Sequence, residues 1–169
     1  LNEYSEEDLS SLFYLYGELR NARRIAATSV SERAKAPIDT TTKFADVMKP
    51  FTTKAKENKT LAQAFQALRI EVNDELKALE EMLESGKEML KPDGGRFCVI
   101  SYHSLEDRLV KNYFRTGNFE GDVHKDFYGN VETPFEIINR KVIVQSDDEQ
   151  AQNPRSRSAK LRVVERKQD

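Results

Sequence analysis

The sequence is poor in the residues that build disulfides and metal centres. It has one cysteine, Cys98, and two histidines among 169 residues. A single thiol excludes an internal disulfide framework, and His124 has no histidine, cysteine or carboxylate pair at a metal-ligand spacing, so we interpret it as a surface residue. We expect no metal site, a reducing cytoplasmic setting, and Cys98 as a small buried side chain in a strand.

Long apolar runs are also missing. No stretch approaches the roughly 20 apolar residues that a membrane-spanning helix needs. The first residues have neither the basic start nor the apolar segment of a secretory signal. The length allows a sizeable core in one ordinary domain or two small ones. We therefore expect a soluble, cytoplasmic protein without a membrane partner.

The sequence also lacks a glycine-rich loop of the kind that binds the phosphates of a cofactor. The sequence contains neither G-x-G-x-x-G nor a Walker motif. Its one glycine pair, Gly94 and Gly95, precedes a predicted strand, whereas a cofactor cradle follows a strand and opens a helix. We predict no cofactor-binding residue in these 169 residues.

Charge is nearly balanced in total but unevenly distributed. There are 27 Lys and Arg against 29 Asp and Glu, for a net charge of −2. Residues 71–88 are mostly acidic, whereas residues 153–167 and the Arg20, Arg23, Arg24 cluster are basic. Such basic segments can bind phosphates, or they can be solvated faces in salt bridges with the acidic helix. Both interpretations stay open on the residues alone.

Hydrophobic periodicity predicts a helical first half. Ser5 opens a helix over residues 5–16, a second helix ends by Lys35, and a short helix runs from a cap within Thr40-Thr41-Thr42 to Met48. Apolar residues at steps of three and four then predict one long unbroken helix over residues 60–84. A turn at residues 92–95 ends it.

The second half mixes strands and helices. The continuous apolar run at residues 97–100 predicts a strand covered on both faces, hence parallel. Ser104, with Asp107 three residues on, predicts the cap of a helix over residues 105–114. Residues 137–138, 142–144 and 161–164 read as strands and residues 147–152 as a turn of helix, while residues 116–134 show no period. The fold class is therefore α/β.

The strand-to-helix junction carries the candidate chemistry. His103 follows the strand and could act as a general acid or base, with Asp107 one helical turn away to orient it. The alternative is structural: Ser104 caps the helix while His103 and Arg108 tie the loop to its neighbours.

Several blocks resemble one family in order along the whole chain. The most specific are Phe65-Gln66-Ala67-Leu68-Arg69, His103-Ser104-Leu105-Glu106-Asp107-Arg108 and Asn153-Pro154-Arg155-Ser156-Arg157-Ser158. The chain resembles the bacterial ribosomal RNA small subunit methyltransferase H, or MraW-type, family. Members transfer a methyl group from S-adenosylmethionine to the N4 amine of a cytidine in 16S rRNA.

The resemblance implies a partial Rossmann-like methyltransferase domain. Residues 1–68 would be a helical insertion subdomain, and residues 69–169 the closing strands and helices of the sheet. The S-adenosylmethionine site would lie in an amino-terminal half that this sequence lacks. His103 and Asp107 would be catalytic, while Ser104, Arg108, Arg155, Arg157 and Lys160 would contact 16S rRNA or the small subunit.

One departure and two alternatives accompany the resemblance. Many members carry Pro-Ala-Thr-Arg before the Phe65 block, whereas this chain has residues 59–64 as Lys-Thr-Leu-Ala-Gln-Ala, so no role of that Arg is carried over. The chain could instead be a catalytically silent fragment or RNA-binding module that self-associates through the exposed edge of its strand. A phosphoesterase using His103 and Asp107 is a third reading.

Overall fold

A computed structural model describes residues 1–92 and 94–167. Asp93, within the predicted turn at residues 92–95, lies outside the described residues. The chain divides into two compact units, Leu1–Glu75 (unit 1) and Leu76–Asp169 (unit 2). The described part contains seven α-helices, two short 3-10 helices and three strands. None of its helices is long and apolar enough to cross a membrane.

Unit 1 is all helical. It contains α1 (Glu6–Leu15), α2 (Ala22–Arg33), α3 (Thr41–Met48), a 3-10 turn (Lys49–Phe51) and α4 (Glu57–Val72). The predicted Ser5 cap is confirmed, since Ser5 Oγ accepts the Asp8 N–H at 3.0 Å. Of the three threonines predicted to offer a cap for α3, Thr40 provides it, and its Oγ1 accepts the Lys43 N–H at 3.2 Å. Each cap satisfies a first-turn donor and so fixes where its helix begins.

The core of unit 1 joins all four helices. Phe13 of α1 stacks on Phe44 of α3 at 5.8 Å between ring centroids, and Phe65 of α4 meets Phe44 edge-on at 5.4 Å. Gly17 allows a close approach, because a Cβ at this position would collide with the Phe13 carbonyl oxygen. Side-chain burial of this kind, rather than helix propensity, stabilises short helices.

The prediction of one unbroken helix over residues 60–84 is wrong, because the structure has two helices there. The helix ends at Val72, and α5 (Glu75–Met89) starts after a break where Asp74 has φ of +51°. The Arg69 guanidinium makes two hydrogen bonds to the Glu75 carboxylate, at 2.8 and 3.0 Å, and Asn73 Nδ2 donates to the same group at 3.1 Å. The apolar spacing continues across this break, so periodicity could not reveal it.

Unit 2 contains a three-stranded sheet with helices. After α5 come β1 (Arg96–Ser101), α6 (Ser104–Thr116), β2 (Phe135–Ile137), α7 (Asp147–Gln152), a 3-10 turn (Pro154–Ser158) and β3 (Lys160–Arg166). The strand order is β1-β3-β2, and β3 is antiparallel to both neighbours. The mixed α/β class is confirmed, although among the described residues the sheet is antiparallel and small.

The core of unit 2 lies against one face of this sheet. Buried side chains of α5, α6 and the strands meet there: Leu83, Val99, Val110, Tyr113, Phe114, Phe135 and Val164. Helix α5 continues through Gly86, and the missing Cβ at this position leaves room for the Phe97 ring.

The prediction that residues 97–100 form a parallel strand covered on both faces is wrong. Burial alternates along β1: Val99 is buried, whereas Cys98 and Ile100 are exposed, Ile100 by 55%. Among the described residues, β1 is also an edge strand of the sheet, with β3 on one side. The expectation of a buried Cys98 fails for the same reason: it lies on the face of the sheet opposite the α6 core.

Candidate functional site

The junction between β1 and α6 is closed by a capping box centred on His103. His103 Nδ1 accepts the Glu106 N–H at 3.4 Å, and a Glu106 carboxylate oxygen accepts the N–H groups of Tyr102 and His103 at 2.8 and 3.3 Å. The cap is thus His103, one residue before the predicted Ser104. Sequence reasoning chose Ser104 because serine is the commoner cap and Asp107 stands three residues after it.

Both ring nitrogens of His103 face Glu106. Nε2 is buried and lies 3.1 Å from Glu106 Oε1, at a geometry that makes no hydrogen bond with any described residue. Burial raises the pKa of the Glu106 carboxyl, but the His103 side chain and the N–H groups of Tyr102 and His103 outweigh it, so that the pKa falls to about 2. Glu106 is therefore a carboxylate that holds the imidazole at the helix start.

Asp107 has partners other than the expected one. Its carboxylate accepts two hydrogen bonds from Arg162, from Nε at 2.8 Å and from Nη2 at 3.2 Å, and a third from Lys160 Nζ at 3.2 Å. Burial raises the pKa of Asp107, but the two cations outweigh it and hold that pKa below its usual value. Asp107 joins α6 to β3 through its carboxylate. The carboxylate beside the His103 imidazole is that of Glu106, whereas Asp107 bonds to His103 through its backbone N–H, which donates to the His103 carbonyl at 3.1 Å.

The basic turn before β3 is fixed by its own backbone and by neighbouring side chains. Asn153 Oδ1 accepts the Arg155 N–H at 3.3 Å, the buried Ser156 hydroxyl donates to the Asn153 carbonyl at 2.8 Å, and Gln145 Nε2 donates to the Arg157 carbonyl at 2.9 Å. These bonds hold the backbone of residues 153–158 while Arg155 and Arg157 stay exposed. Two cations on a rigid turn suit phosphate binding.

The strand register brings these parts to one end of the sheet. Ser101, the last residue of β1, pairs with Lys160, the first residue of β3. The His103 cap therefore follows β1 at the same end where the Arg155–Arg157 turn enters β3. Ser104 and Arg108 lie exposed on the first turns of α6. The exposed cations of the Arg155–Arg157 turn thus lie at the same end of the sheet as the capped start of α6. Together they form a surface that can position an anionic polymer.

Comparison with known proteins decides the family. The chain matches the MraW methylase family over residues 1–167. The chain belongs to the MraW methylase family. It is 58% identical over 166 residues to a protein of Parabacteroides distasonis named ribosomal RNA small subunit methyltransferase H. A protein of the same name from Bacteroides fragilis is 54% identical over 167 residues.

The family match covers nearly all of this chain but only part of its relatives. It spans 98% of this chain and 54% of the P. distasonis protein, and 99% and 55% for the B. fragilis protein. A Christiangramia forsetii protein with the same name is 54% identical, over 97% of this chain and 54% of its own length. The chain thus spans about half the length of the curated relatives it matches.

Sequence reasoning missed three features of this MraW-family chain. Glu106 and Arg162 are the actual partners of His103 and Asp107, and only the order of strands could have placed Arg162 beside α6. The third is a turn in the unassigned loop, where Asp126 accepts the N–H groups of Tyr128 and Asn130, each at 2.8 Å. The neighbouring Phe127 is 98% exposed.

Proposed function

We propose that this chain is the part of an S-adenosylmethionine-dependent methyltransferase that positions 16S rRNA, so that the N4 amine of a cytidine accepts the methyl group. The observation that carries the proposal is the family match over residues 1–167, together with relatives named as ribosomal RNA small subunit methyltransferases. In this proposal, residues 1–68 are the helical insertion and residues 69–169 close the catalytic domain.

The described residues do not fit S-adenosylmethionine by themselves. The β1–α6 junction, where a strand runs into a helix, is filled by the His103 capping box rather than by a glycine loop. The glycines with positive φ, Gly94, Gly117, Gly121 and Gly129, lie before β1 and in the segments after α6. We therefore assign the cofactor site to residues outside this sequence, and we derive no step through the cofactor.

The amine of cytosine is a weak nucleophile, since its lone pair is delocalised into the ring. Positioning of the base would then dominate the rate enhancement. Arg155 and Arg157 would hold phosphates of the rRNA, with Lys160 at the edge of the same surface and Ser104 and Arg108 along its α6 side. Flexible or single-stranded rRNA lowers the cost of turning the base outward.

His103 and Asp107 act, in this account, as positioning residues. The imidazole closes the helix start and forms a wall beside the base, and Asp107 holds α6 on β3 through Arg162 and Lys160. Both contacts fix the loop that follows β1. A rigid loop keeps the base in line for transfer without a proton being moved at the imidazole.

The test uses a hybrid in which this chain replaces the matching region of the P. distasonis relative. We expect the hybrid to transfer radiolabelled methyl groups to unmethylated small ribosomal subunits. Replacing both Arg155 and Arg157 by Ala should weaken subunit binding and flatten its salt dependence. The control removes two other exposed cations of unit 2, Arg140 and Lys141, and should bind as the parent hybrid does. Equal effects of the two double variants would refute the role of the basic turn.

Two substitutions separate the roles of His103. Asparagine is a good helix cap, so His103→Asn should restore the thermal stability that His103→Ala loses. If the ring also walls the base, transfer stays slow in both variants. Full activity of His103→Asn would reduce the residue to a cap.

A catalytically silent RNA-binding module is the second candidate function. It is favoured by the poor fit of the described residues to the cofactor. Calorimetric titration of S-adenosylmethionine into the 169-residue chain tests it. Binding with micromolar affinity would contradict the assignment of the cofactor site to residues outside the sequence. The absence of binding heat would support that assignment.

A further inference from the structure

Unit 1 carries a cleft that combines arginines with an exposed aromatic ring. The cleft has a volume of about 550 Å³, and its lining includes Tyr14, Arg20, Asn21, Arg23 and Arg24. Tyr14 is 64% exposed. A volume of this size is in the usual range of ligand pockets.

A second cleft continues the basic surface. It has a volume of about 530 Å³ and shares Arg20 and Asn21 with the first. Lys56 and Lys59 also line it, with Glu18 as the one carboxylate in its lining. The two clefts form a track of cations in unit 1, which we call the unit 1 groove.

The arginines of the groove are placed where the helix does not favour them. Arg23 and Arg24 lie in the first turn of α2, which carries no acidic residue, whereas the first turn of α1 has three. A cation at a helix start is unfavourable, because the helix dipole is positive there. Within residues 1–92 and 94–167, no ion pair joins Arg20, Arg23 or Arg24 to a carboxylate. Their cost to the helix is not offset by a salt bridge.

One of these arginines is held in place by an aromatic contact. The guanidinium of Arg24 lies 5.6 Å from the ring centroid of Phe51. Such a cation–π contact orients the group without neutralising its charge. The positive charge of Arg24 is therefore held at the groove and stays available to an anion.

We infer that the unit 1 groove binds single-stranded RNA, with Arg20 and Arg23 on phosphates and Tyr14 stacked on a base. Cations that follow a backbone, together with an exposed aromatic ring, are the combination that single-stranded nucleic acids need. A duplex hides its base faces and could not stack on Tyr14. The inference rests on the proposed rRNA substrate and adds a second contact surface, in a different unit from the Arg155–Arg157 turn.

The test measures binding of the 169-residue chain to a fluorescent single-stranded RNA of roughly ten nucleotides, within the usual site sizes. Arg20→Gln with Arg23→Gln should lower affinity and reduce the salt slope by about 1.4, at about 0.7 for each lost phosphate contact. The charge-matched control is Lys35→Gln with Lys43→Gln, since these lysines line a different cleft of unit 1. It should change the slope much less.

Tyr14 variants separate stacking from charge. Tyr14→Ala should weaken binding by about tenfold, the loss of one stacked base, whereas Tyr14→Phe keeps the ring and should bind within about twofold of the parent chain. Circular dichroism confirms that each variant is folded. Equal affinity of Tyr14→Ala and the parent chain would overturn the inference, as would failure of the parent chain to bind.

Two competitors test the kind of partner. A duplex of the same sequence should compete less well than the single strand, and poly-glutamate, which mimics an acidic protein, should compete weakly. Equal competition by either would overturn the inference.

The two proposals can fail separately. If the hybrid is inactive but the chain binds RNA in a way that depends on Tyr14, the methyltransferase proposal is refuted and the groove is supported. If the hybrid is active but the groove variants bind RNA as the parent chain does, only the inference about the groove is refuted.

Discussion

The Asp107 ion pairs allow a quantitative prediction about unit 2. Asp107→Asn keeps the shape of the side chain but removes the charge that pairs with Arg162 and Lys160. The Asp107 and Arg162 side chains are only 14% and 18% exposed, so the variant leaves a poorly solvated guanidinium without a counter-charge. Exposed pairs contribute about 0–1 kcal/mol, and breaking buried pairs costs about 3–5 kcal/mol. We expect an intermediate loss of about 2 kcal/mol.

The assay is thermal unfolding followed by calorimetry. For a domain the size of unit 2, a loss of about 2 kcal/mol lowers the unfolding temperature by about 10 °C. Glu120→Gln is the matched control, because Glu120 is an exposed carboxylate in the same unit. Its unfolding temperature should stay within a degree or two of the parent value. Indistinguishable melting of Asp107→Asn and Glu120→Gln would refute the reasoning.

The same pair predicts a pH dependence with a definite sign. The cations hold the pKa of Asp107 below its usual value of 3.8 in the folded chain. The stabilisation is therefore fully present above the usual value and is lost as the pH falls through the lower, folded pKa. The difference in unfolding temperature between the parent and Asp107→Asn should be constant near neutral pH and close in acid. A difference that persists when both side chains are uncharged would contradict the mechanism.

Three further predictions concern unit 2. Glu106→Gln should destabilise it by about 1–2 kcal/mol after allowance for solvent screening. This loss should shrink as the pH falls below 4.5 and vanish below the folded pKa of about 2, which calorimetry across pH checks. Gly86→Ala should lower the unfolding temperature despite the better helix propensity of alanine, because its Cβ would overlap the Phe97 ring, whereas a higher temperature would show that the ring moves aside. Ile100→Lys, a change on exposed strand β1, should reduce self-association measured by light scattering. A monomeric parent chain would refute the prediction that the chain self-associates through β1.

Local sequence signals predicted the helices of unit 1 well. The Ser5 and Thr40 caps depend on hydrogen bonds spanning three residues, so the sequence nearby contains what forms them. The break at Asp74 was missed because it depends on a left-handed residue stabilised by Arg69 and Glu75, while the apolar spacing continued unchanged.

The sequence predicted that the polar block follows a strand and opens a helix, but it did not predict the contacts of that block. The polar block after β1 indicated where His103 and Asp107 would lie. Their partners depend on which strand lies next to α6, and Arg162 is 55 residues from Asp107 along the chain. Apolar residues at 97–100 indicated a strand, but composition could not show that one of its faces is open. The proposal that this site contacts rRNA depends on the family match, since hydrophobic periodicity carries no information about a substrate.

The most direct test of the central claim is nucleoside analysis of small-subunit rRNA after incubation with the hybrid and S-adenosylmethionine. Mass spectrometry of the digested rRNA should show N4-methylated cytidine, and the product should disappear when S-adenosylmethionine is omitted. Methylation of another nucleoside, or no methylation by a folded hybrid that binds small subunits, would contradict the proposed function.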